Sequence, residues 1–351
     1  MNKLVRGGAN LPKRYLVLGG MGFIGSHLVD GLLAAGHIVR CFDHPRALPI
    51  DWPHRSSPNF ELFAGEFLND EDVRAAMADC DVCFHLISTT TPAPSNANPV
   101  ADIESNLAGT LRMLEHAVKA GVQKVVFASS GGTVYGIPGA ATLRETDSTD
   151  PICSYGIGKL AIEKYLHLFH RLHGLDYAIL RLANPFGERQ RTRSSQGAVA
   201  VFLDKALKGE PIEIWGDGTT VRDYIYVEDV VSALISAAGH QGTERIFNIG
   251  MGYGLSLNQV IDAIERVCGA PVSRKYLPAR AFDVPRNVLD IERASRSLNW
   301  SPQISFEQGL ARFADWLRQT IESPAGNGKV FAFNTPGIRE QLPVMAIAAS
   351  A

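Results

Sequence analysis

No stretch of this sequence approaches the roughly 20 consecutive apolar residues of a membrane-spanning helix, so no membrane partner is expected. An excess of one charge is also missing. Thirty-four Lys and Arg stand against 36 Asp and Glu, a formal net charge of −2, which points to neither nucleic acid nor an anionic surface as partner. Cysteine is sparse: five in 351 residues, an odd number, fit a reducing cytoplasm better than a disulfide framework. Cys80 and Cys83 form a lone CxxC across the start of an apolar run. Without a second pair they read as buried packing residues rather than zinc or redox ligands. Met1 to Lys13 holds basic residues and glycines but no hydrophobic stretch ahead of a cleavage site, so it does not read as a signal peptide. Internal repeats and low-complexity segments are absent.

What is present is an ordinary globular composition, 46% hydrophobic and 20% charged, long enough for one or two domains. Short apolar runs alternate with helical patterns through the first half. Strands are expected at 14–19, 38–43, 60–64, 82–87, 124–129 and 177–182, with helices at 22–35, 103–120 and 155–173. That rhythm predicts an α/β fold, a Rossmann-like doubly wound parallel sheet with right-handed crossovers. From Asn184 it breaks: Gly, Pro and charges cluster at 184–197 and 209–223 around a helix at 198–208. A second mixed region, from Ser256 to about Glu322, ends in a helix at 306–319. The expected organisation is a dinucleotide-binding domain from 13–183 and 224–250. A smaller, partly interleaved C-terminal substrate domain takes 184–223 and 251–322, and 323–351 forms a loose tail.

Gly19-Gly20-Met21-Gly22-Phe23-Ile24-Gly25 places GxxGxxG between a strand and a helix. Glycines let the backbone approach a diphosphate, and unpaired N–H groups at the helix start point at the anion. Asp43 ends the next strand, where a carboxylate accepts both ribose hydroxyls and repels a 2′-phosphate. The expected cofactor is therefore NAD, held by Gly19, Gly22, Phe23, Ile24, Gly25 and Asp43. Glu66 and Phe67, after the third strand, either border the adenine or sit in a solvated loop. Leu86 and Ser129 stand at strand ends on the edge where such sheets bind ligands.

Tyr155-Gly156-Ile157-Gly158-Lys159 is YxxxK on a helix, with both side chains on one face. A free tyrosine, with a pKa near ~10, needs help to act as a base at neutral pH, and a nearby ammonium favours its phenolate. His167, His170 and His173 ride one helix with no acid pattern completing a metal site, so no metal is expected.

In these motifs the chain resembles the NAD-dependent nucleotide-sugar epimerases and dehydratases, the extended branch of the short-chain dehydrogenase/reductase superfamily. The resemblance covers roughly residues 14–320. In order it takes in GxxGxxG at 19–25, GEF at 65–67, NLAGT at 106–110, SSGGTVYG at 129–136 and YGIGK at 155–159. LRLANPFGERQ at 180–190, VRDYIYVEDV at 221–230, FNIG at 247–250 and RAFD at 280–283 follow. It implies that Tyr155 is the acid/base and that Lys159 holds the nicotinamide ribose and tunes it. It also implies that Asn184, Arg222 and Arg280 contact the substrate diphosphate, most often that of UDP.

Two departures bear on the reaction. A Ser or Thr that touches the reacting sugar hydroxyl in the family is Gly131 here. Thr133, if the backbone stays extended, is the first candidate replacement, and Ser130 the second. Thr133 also stands where dehydratases and decarboxylases carry a Glu, which disfavours both reactions. The expected activity is C4 epimerisation of a UDP-sugar, neutral or N-acetylated, through a 4-keto sugar. The rivals are a UDP-uronic acid 4-epimerase, a dehydratase or 4-keto reductase of the same family, and a non-catalytic NAD-binding scaffold. Asn287, at the family position that gates ring substituents, and Arg191, a candidate partner for a C6 carboxylate, are expected to shape the sugar pocket. Apolar residues on the helices at 103–120 and 155–173 (Leu111, Leu114, Leu160, Ile162, Leu166, Phe169) are expected to form a homodimer contact.

Overall fold

A computed structural model describes residues 13–47, 54–137, 139–192, 197–279 and 284–322. The strands are β1 (Arg14–Leu18), β2 (Ile38–Asp43), β3 (Phe60–Ala64), β4 (Val82–His85), β5 (Lys124–Ser130), β6 (Asp176–Leu182) and β7 (Asn184–Phe186). They continue as β8 (Ile212–Trp215), β9 (Val221–Arg222), β10 (Tyr224–Tyr226), β11 (Ile246–Ile249), β12 (Leu255–Ser256), β13 (Arg274–Leu277) and β14 (Arg286–Asn287). The helices are α1 (Phe23–Ala34), α2 (Asp70–Met77), α3 (Pro92–Ala97), α4 (Pro99–Asp102), α5 (Gly109–Ala120) and α6 (Ser154–His173). After them come α7 (Ala198–Leu207), α8 (Val227–Gly239), α9 (Leu257–Cys268), α10 (Glu292–Leu298) and α11 (Phe306–Glu322).

Seven strands form one sheet in the order β3-β2-β1-β4-β5-β6-β11, every neighbouring pair parallel. The chain runs outward from β1 through β2 to β3, then restarts on the other side of β1 with β4. Ligands bind at such a reversal, beyond the carboxyl ends of the strands. Parallel strands covered on both faces must be apolar throughout, and side chains pointing alternately up and down enter two different cores. Tyr15, Val17, Val126 and Leu180 pack with α1, α8 and α10 on one face. Leu16, Leu18, Val125 and Ile179 pack with α2, α5 and α6 on the other. A third core joins Phe186, Leu203, Ile214, Tyr226, Ile261, Phe306 and Phe313, drawn from the region after β6.

Local chemistry explains where the helices stop and start. Asn69 caps α2 by accepting from Glu71 N–H, and Ser256 and Gln259 cap α9 reciprocally. Gly121 and Gly174 end α5 and α6 in the left-handed conformation.

Three expectations need correction. The single helix at 103–120 is a π-helical turn (Ile103–Ala108) running into α5, a widening that recurs at functional sites. Residues of α10 and Trp300, assigned with the second region, pack onto the sheet beside α8. Leu114, Ile162 and Leu166 are buried in the sheet's core and are not available to a partner. The exposed apolar residues of α6 are instead Ile157, Leu168 and Leu172, which fall on one helical face. Cys80 and Cys83 are buried in the core with free thiols, and no helix among the described residues is long and apolar enough to cross a membrane.

Candidate active site

The turn between β1 and α1 is a cradle that side chains would fill. A Cβ on Gly25 would lie 2.1 Å from the Gly19 carbonyl oxygen, and one on Gly20 would lie 2.4 Å from Cys41 Sγ. Gly19 has φ +83°, which glycine alone adopts without strain. Gly22 caps α1 with no side-chain hydrogen bond, leaving the first-turn N–H groups of Phe23, Ile24 and Gly25 to an outside acceptor. These features fit a dinucleotide diphosphate. Asp43 closes over the same turn: its Oδ2 accepts from Met21 N–H and its Oδ1 from His44 N–H, each at 2.8 Å. Burial raises the Asp43 carboxyl, while those N–H groups and the charges of His44 and Arg191 oppose the rise.

The neighbouring residues divide. Glu66 lies 3.2 Å from His44 Nε2, beside Asp43, and Phe67 stacks on His85. The Leu86 N–H pairs with the Leu18 carbonyl at the reversal point of the sheet. Ser129 does not face the cofactor turn. It is buried and donates to Glu163 Oε1 at 2.5 Å, because Glu163 on α6 and Arg181 on β6 form a fully buried ion pair, 2.6 Å long, behind the end of β5.

Tyr155 and Lys159 stand on the first turns of α6, against the carboxyl ends of β4 and β5. Lys159 is buried, donates to the Ala128 carbonyl at 2.9 Å, and lies 5.6 Å from the centre of the Tyr155 ring. Burial pushes Lys159 down to about 8, opposed by the charges of Asp102 and Glu163. Tyr155 keeps part of its surface exposed, yet desolvation pushes its phenol up to about 12. Cys153 and Asp102 add to that rise, while the hydroxyls of Ser130 and Ser88, in hydrogen-bond reach of the phenol, oppose it.

The backbone does not stay extended past Ser130. The Ser130 carbonyl accepts from the N–H groups of Thr133 and Val134, so 131–135 turn away from the strand direction. The condition that pointed Thr133 at the tyrosine is therefore not met. Its Oγ1 is buried with no partner in the protein, whereas Ser130, at the last strand position, lies beside the phenol. A side chain at position 131 would have to displace the end of Leu289, 2.6 Å from its Cβ, and press on the Arg181 carbonyl oxygen at 3.1 Å.

Long-range pairing brings the other candidates to this turn. Asn184 donates from Nδ2 to the Asp223 carbonyl at 2.9 Å, next to Arg222. Arg222 pairs in register with Asn287 through β9 and β14. Asn287, 1% exposed, donates from Nδ2 to the Gly131 carbonyl at 3.1 Å. Strand register and hydrogen bonds thus bring Asn184, Arg222 and Asn287 to the turn at Gly131, whose neighbour Ser130 acts on the Tyr155 phenol. Arg280 lies outside the described residues.

Arg191 lies nearer the cofactor turn. Arg189 pairs with Asp30 at 2.6 Å and the Glu188 carbonyl meets His27, so this loop is tied down on α1. The tie carries Arg191 to the Asp43 side of the sheet, where the two charges act on each other. Asp43 on β2 is three strand positions from β5, about 14 Å at the usual spacing.

Ser88, Asp102 and Asn106 line a small cavity with Tyr155 and Lys159, and sequence reasoning gave no role to Asp102 or Asn106. Ser88 had a signal, since it follows β4 on the ligand-binding edge. Asp102 had none, because only the packing of α4 against α6 brings it there. Three histidines read from α6 have local roles or none: His167 meets the Tyr177 hydroxyl and His170 the Leu175 carbonyl.

Comparison with known proteins agrees with this geometry. Residues 15–250 match the model of the NAD dependent epimerase/dehydratase family. A UDP-glucose 4-epimerase of Mycolicibacterium smegmatis is 38% identical over 309 residues, 87% of this chain and 98% of that protein. Among solved structures, the UDP-glucose 4-epimerase of Thermotoga maritima with UDP-glucose is 36% identical. It superposes with a TM-score of 0.82, covering 88% of this chain and 100% of the other. The Thermus thermophilus UDP-glucose 4-epimerase in complex with NAD is 33% identical, with a TM-score of 0.78 and coverage of 87% and 99%. With the glycine cradle, the Tyr155/Lys159 pair and these likenesses in agreement, the chain belongs to the NAD dependent epimerase/dehydratase family.

Proposed function

We infer that this protein is an NAD-dependent epimerase that inverts C4 of a UDP-sugar through a 4-keto sugar. The observation that carries the reading is the chain of contacts that brings Asn184, Arg222 and Asn287 to the turn at Gly131, next to the strand end beside α6 and Tyr155. It joins phosphate-binding residue types to a single acid/base. Relatives that act on UDP-glucose, and a neighbour solved with UDP-glucose, support UDP as the nucleotide.

Gly19, Gly22, Gly25 and the first-turn N–H groups of α1 hold the diphosphate of NAD, and Asp43 its ribose hydroxyls. NAD supplies reversible hydride acceptance at the sugar carbon. Arg222 and Asn184, with Arg280, hold the substrate diphosphate, since guanidinium forks suit phosphate oxygens. Tyr155 takes the O4 proton and returns it, and the Lys159 ammonium stabilises the phenolate that burial alone would disfavour. The hydroxyls of Ser130 and Ser88 favour the ionised phenol. Thr133 stands where elimination and decarboxylation would use a Glu, so neither reaction is supplied with its acid/base.

Asn287, small and buried at the edge of the catalytic turn, leaves N-acetylated sugars within the substrate range. A UDP-uronic acid remains the alternative substrate, with a UDP-glucuronate 4-epimerase among the relatives, although the influence of Arg191 on Asp43 favours a role near the cofactor turn. The division into a cofactor part (13–183 with 224–250) and a substrate part (184–223 with 251–322) is retained as a proposal, with α10 returning to the first. The apolar stripe Ile157, Leu168 and Leu172 supports a homodimer, which sedimentation would reveal as twice the chain mass. Five free thiols support a reducing cytoplasm.

The deciding experiment incubates purified protein and NAD with UDP-glucose and with UDP-N-acetylglucosamine. The 4-epimers are expected, with no net NADH. Net NADH, loss of water, or no conversion of either sugar would overturn the reading.

A further inference from the structure

Asp102, at the end of α4, is 3% exposed. Its two oxygens accept three hydrogen bonds: from Thr90 Oγ1, from Asn106 Nδ2 at 2.9 Å and from Ser154 Oγ at 2.7 Å. All three donors are neutral, and an acceptor-only set of this kind is the pattern of a carboxylate. Tyr155 and Lys159 line the same small cavity as Asp102. Lys159 is itself buried, with the Ala128 carbonyl as its hydrogen-bond acceptor and the Phe127 ring 4.7 Å away. A buried carboxylate held by neutral donors thus faces a buried ammonium held by a neutral acceptor. Neither charge is tolerated alone in such a place, and each is compensated by the other.

The same helices also grip the start of α6. Ser154 N–H donates to Asn96 Oδ1 at 2.9 Å, Tyr155 N–H donates to Ser95 Oγ at 3.0 Å, and Ser154 Oγ reaches Asp102. We propose that Asp102 is a positioning residue for the reaction, holding Lys159 in its ammonium form across this cavity and anchoring, through Ser154, the helical turn that carries Tyr155. The proposal rests on the C4-epimerase reading for its kinetic consequences but not for its electrostatic ones.

The other groups around Lys159 leave this part to Asp102. Glu163, one turn later on α6, is engaged by Arg181 at 2.6 Å and by Ser129. His85 on β4 is held neutral, pushed down to about 3 by burial and by Lys159 itself. Tyr155, on the same face of α6, is the group whose ionisation Lys159 favours, and Cys153 precedes that helix. Among the opposing influences on Lys159, the charge of Asp102 comes before that of Glu163.

The test is a lysine 13Cε NMR titration of the full-length protein, with the Lys159 resonance assigned by its loss in Lys159→Arg. Asp102→Asn is expected to lower the Lys159 midpoint by of order one pH unit. Ser154→Ala, which keeps the charge and deletes one hydrogen bond, is expected to leave that midpoint in place. Asp102→Ser is read in parallel and carries the same expectation as Asp102→Asn, should the latter not fold. In the pH profile of kcat/KM, Asp102→Asn is expected to move both limbs to lower pH, because removing an anion eases loss of a proton from both Lys159 and Tyr155. A purely structural role would lower the profile without displacing it. An unchanged Lys159 midpoint in both Asp102 variants, or an equal shift in Ser154→Ala, would overturn the proposal. A wild-type protein that turns over no UDP-sugar yet shows the Asp102-dependent shift would overturn the epimerase reading and leave the assignment of Asp102 standing.

Discussion

Leu289 occupies the space that a side chain at position 131 would need. A Cβ on Gly131 would lie 2.6 Å from Leu289 Cδ1 and 3.0 Å from Cδ2, and Leu289 is fully buried. A side chain at 131 would therefore have to move Leu289, with the Arg181 carbonyl oxygen 3.1 Å away on the backbone side. Gly131→Ser is expected to destabilise the fold by about 1–3 kcal/mol, the usual range for overpacking. In a Leu289→Ala background the same substitution should cost clearly less, since the two sites share one volume. Chemical denaturation of the four proteins measures the coupling. Additive effects would show that Leu289 is not the obstacle.

Ser130 and Thr133 separate by activity. Hydrogen bonds to charged groups contribute about 1.5–3 kcal/mol, so Ser130→Ala should slow epimerisation about tenfold to a hundredfold. Thr133→Val should stay within about twofold of wild type and lose no stability, because it removes a buried hydroxyl that has no partner in the protein. Steady-state rates and melting temperatures of both variants decide it. A large loss in Thr133→Val alone would return the role to Thr133.

Arg191 offers a second separation. Its charge acts on Asp43, so Arg191→Ala should weaken NAD binding by about two- to fivefold, the range of an exposed ion pair. The relative rates with UDP-glucose and UDP-glucuronic acid should not change. Calorimetric NAD titration and a two-substrate assay measure the two effects. A selective loss of activity toward the uronate would place Arg191 in the sugar pocket after all.

Lys159 sets a pH dependence of stability with a definite sign. Burial lowers its folded-state value to about 8 from 10.5, so between those values the unfolded chain holds a proton that the folded chain has released. Stability then rises with pH through this window, and the burial penalty is fully present below about pH 8. Between pH 8 and 9.5 the gain is about 2 kcal/mol. Urea unfolding of wild type and Lys159→Met at several pH values isolates the contribution, because every other group is common to both. A difference that does not change over this interval would mean that Lys159 keeps its proton.

The cofactor half of the site was legible because its determinants are local. Glycines spaced around one turn, an acid at the end of the next strand, and Tyr and Lys one helical turn apart each lie within a single β-α step. Strands buried on both faces announce themselves as apolar runs for the same reason. The positions of Ser129, Arg191 and Asp102 were not legible, because each depends on what lies across the fold. Ser129 turns to Glu163 because the Glu163–Arg181 pair is buried behind its strand. Arg191 reaches Asp43 because Arg189 and Glu188 fasten its loop to α1.

By itself, then, the sequence determined the parallel sheet, the glycine turn and the placing of Tyr155 and Lys159 on one helix face, since backbone periodicity and short spacings set them without reference to distant chain. Only the tertiary structure decided how the chain turns beside Tyr155, and why. The strand turns after Ser130, Leu289 crowds position 131, and Asn287 fastens the turn at the Gly131 carbonyl. The last two contacts join residues more than 150 positions apart, and steric exclusion between such residues leaves no trace in local pattern.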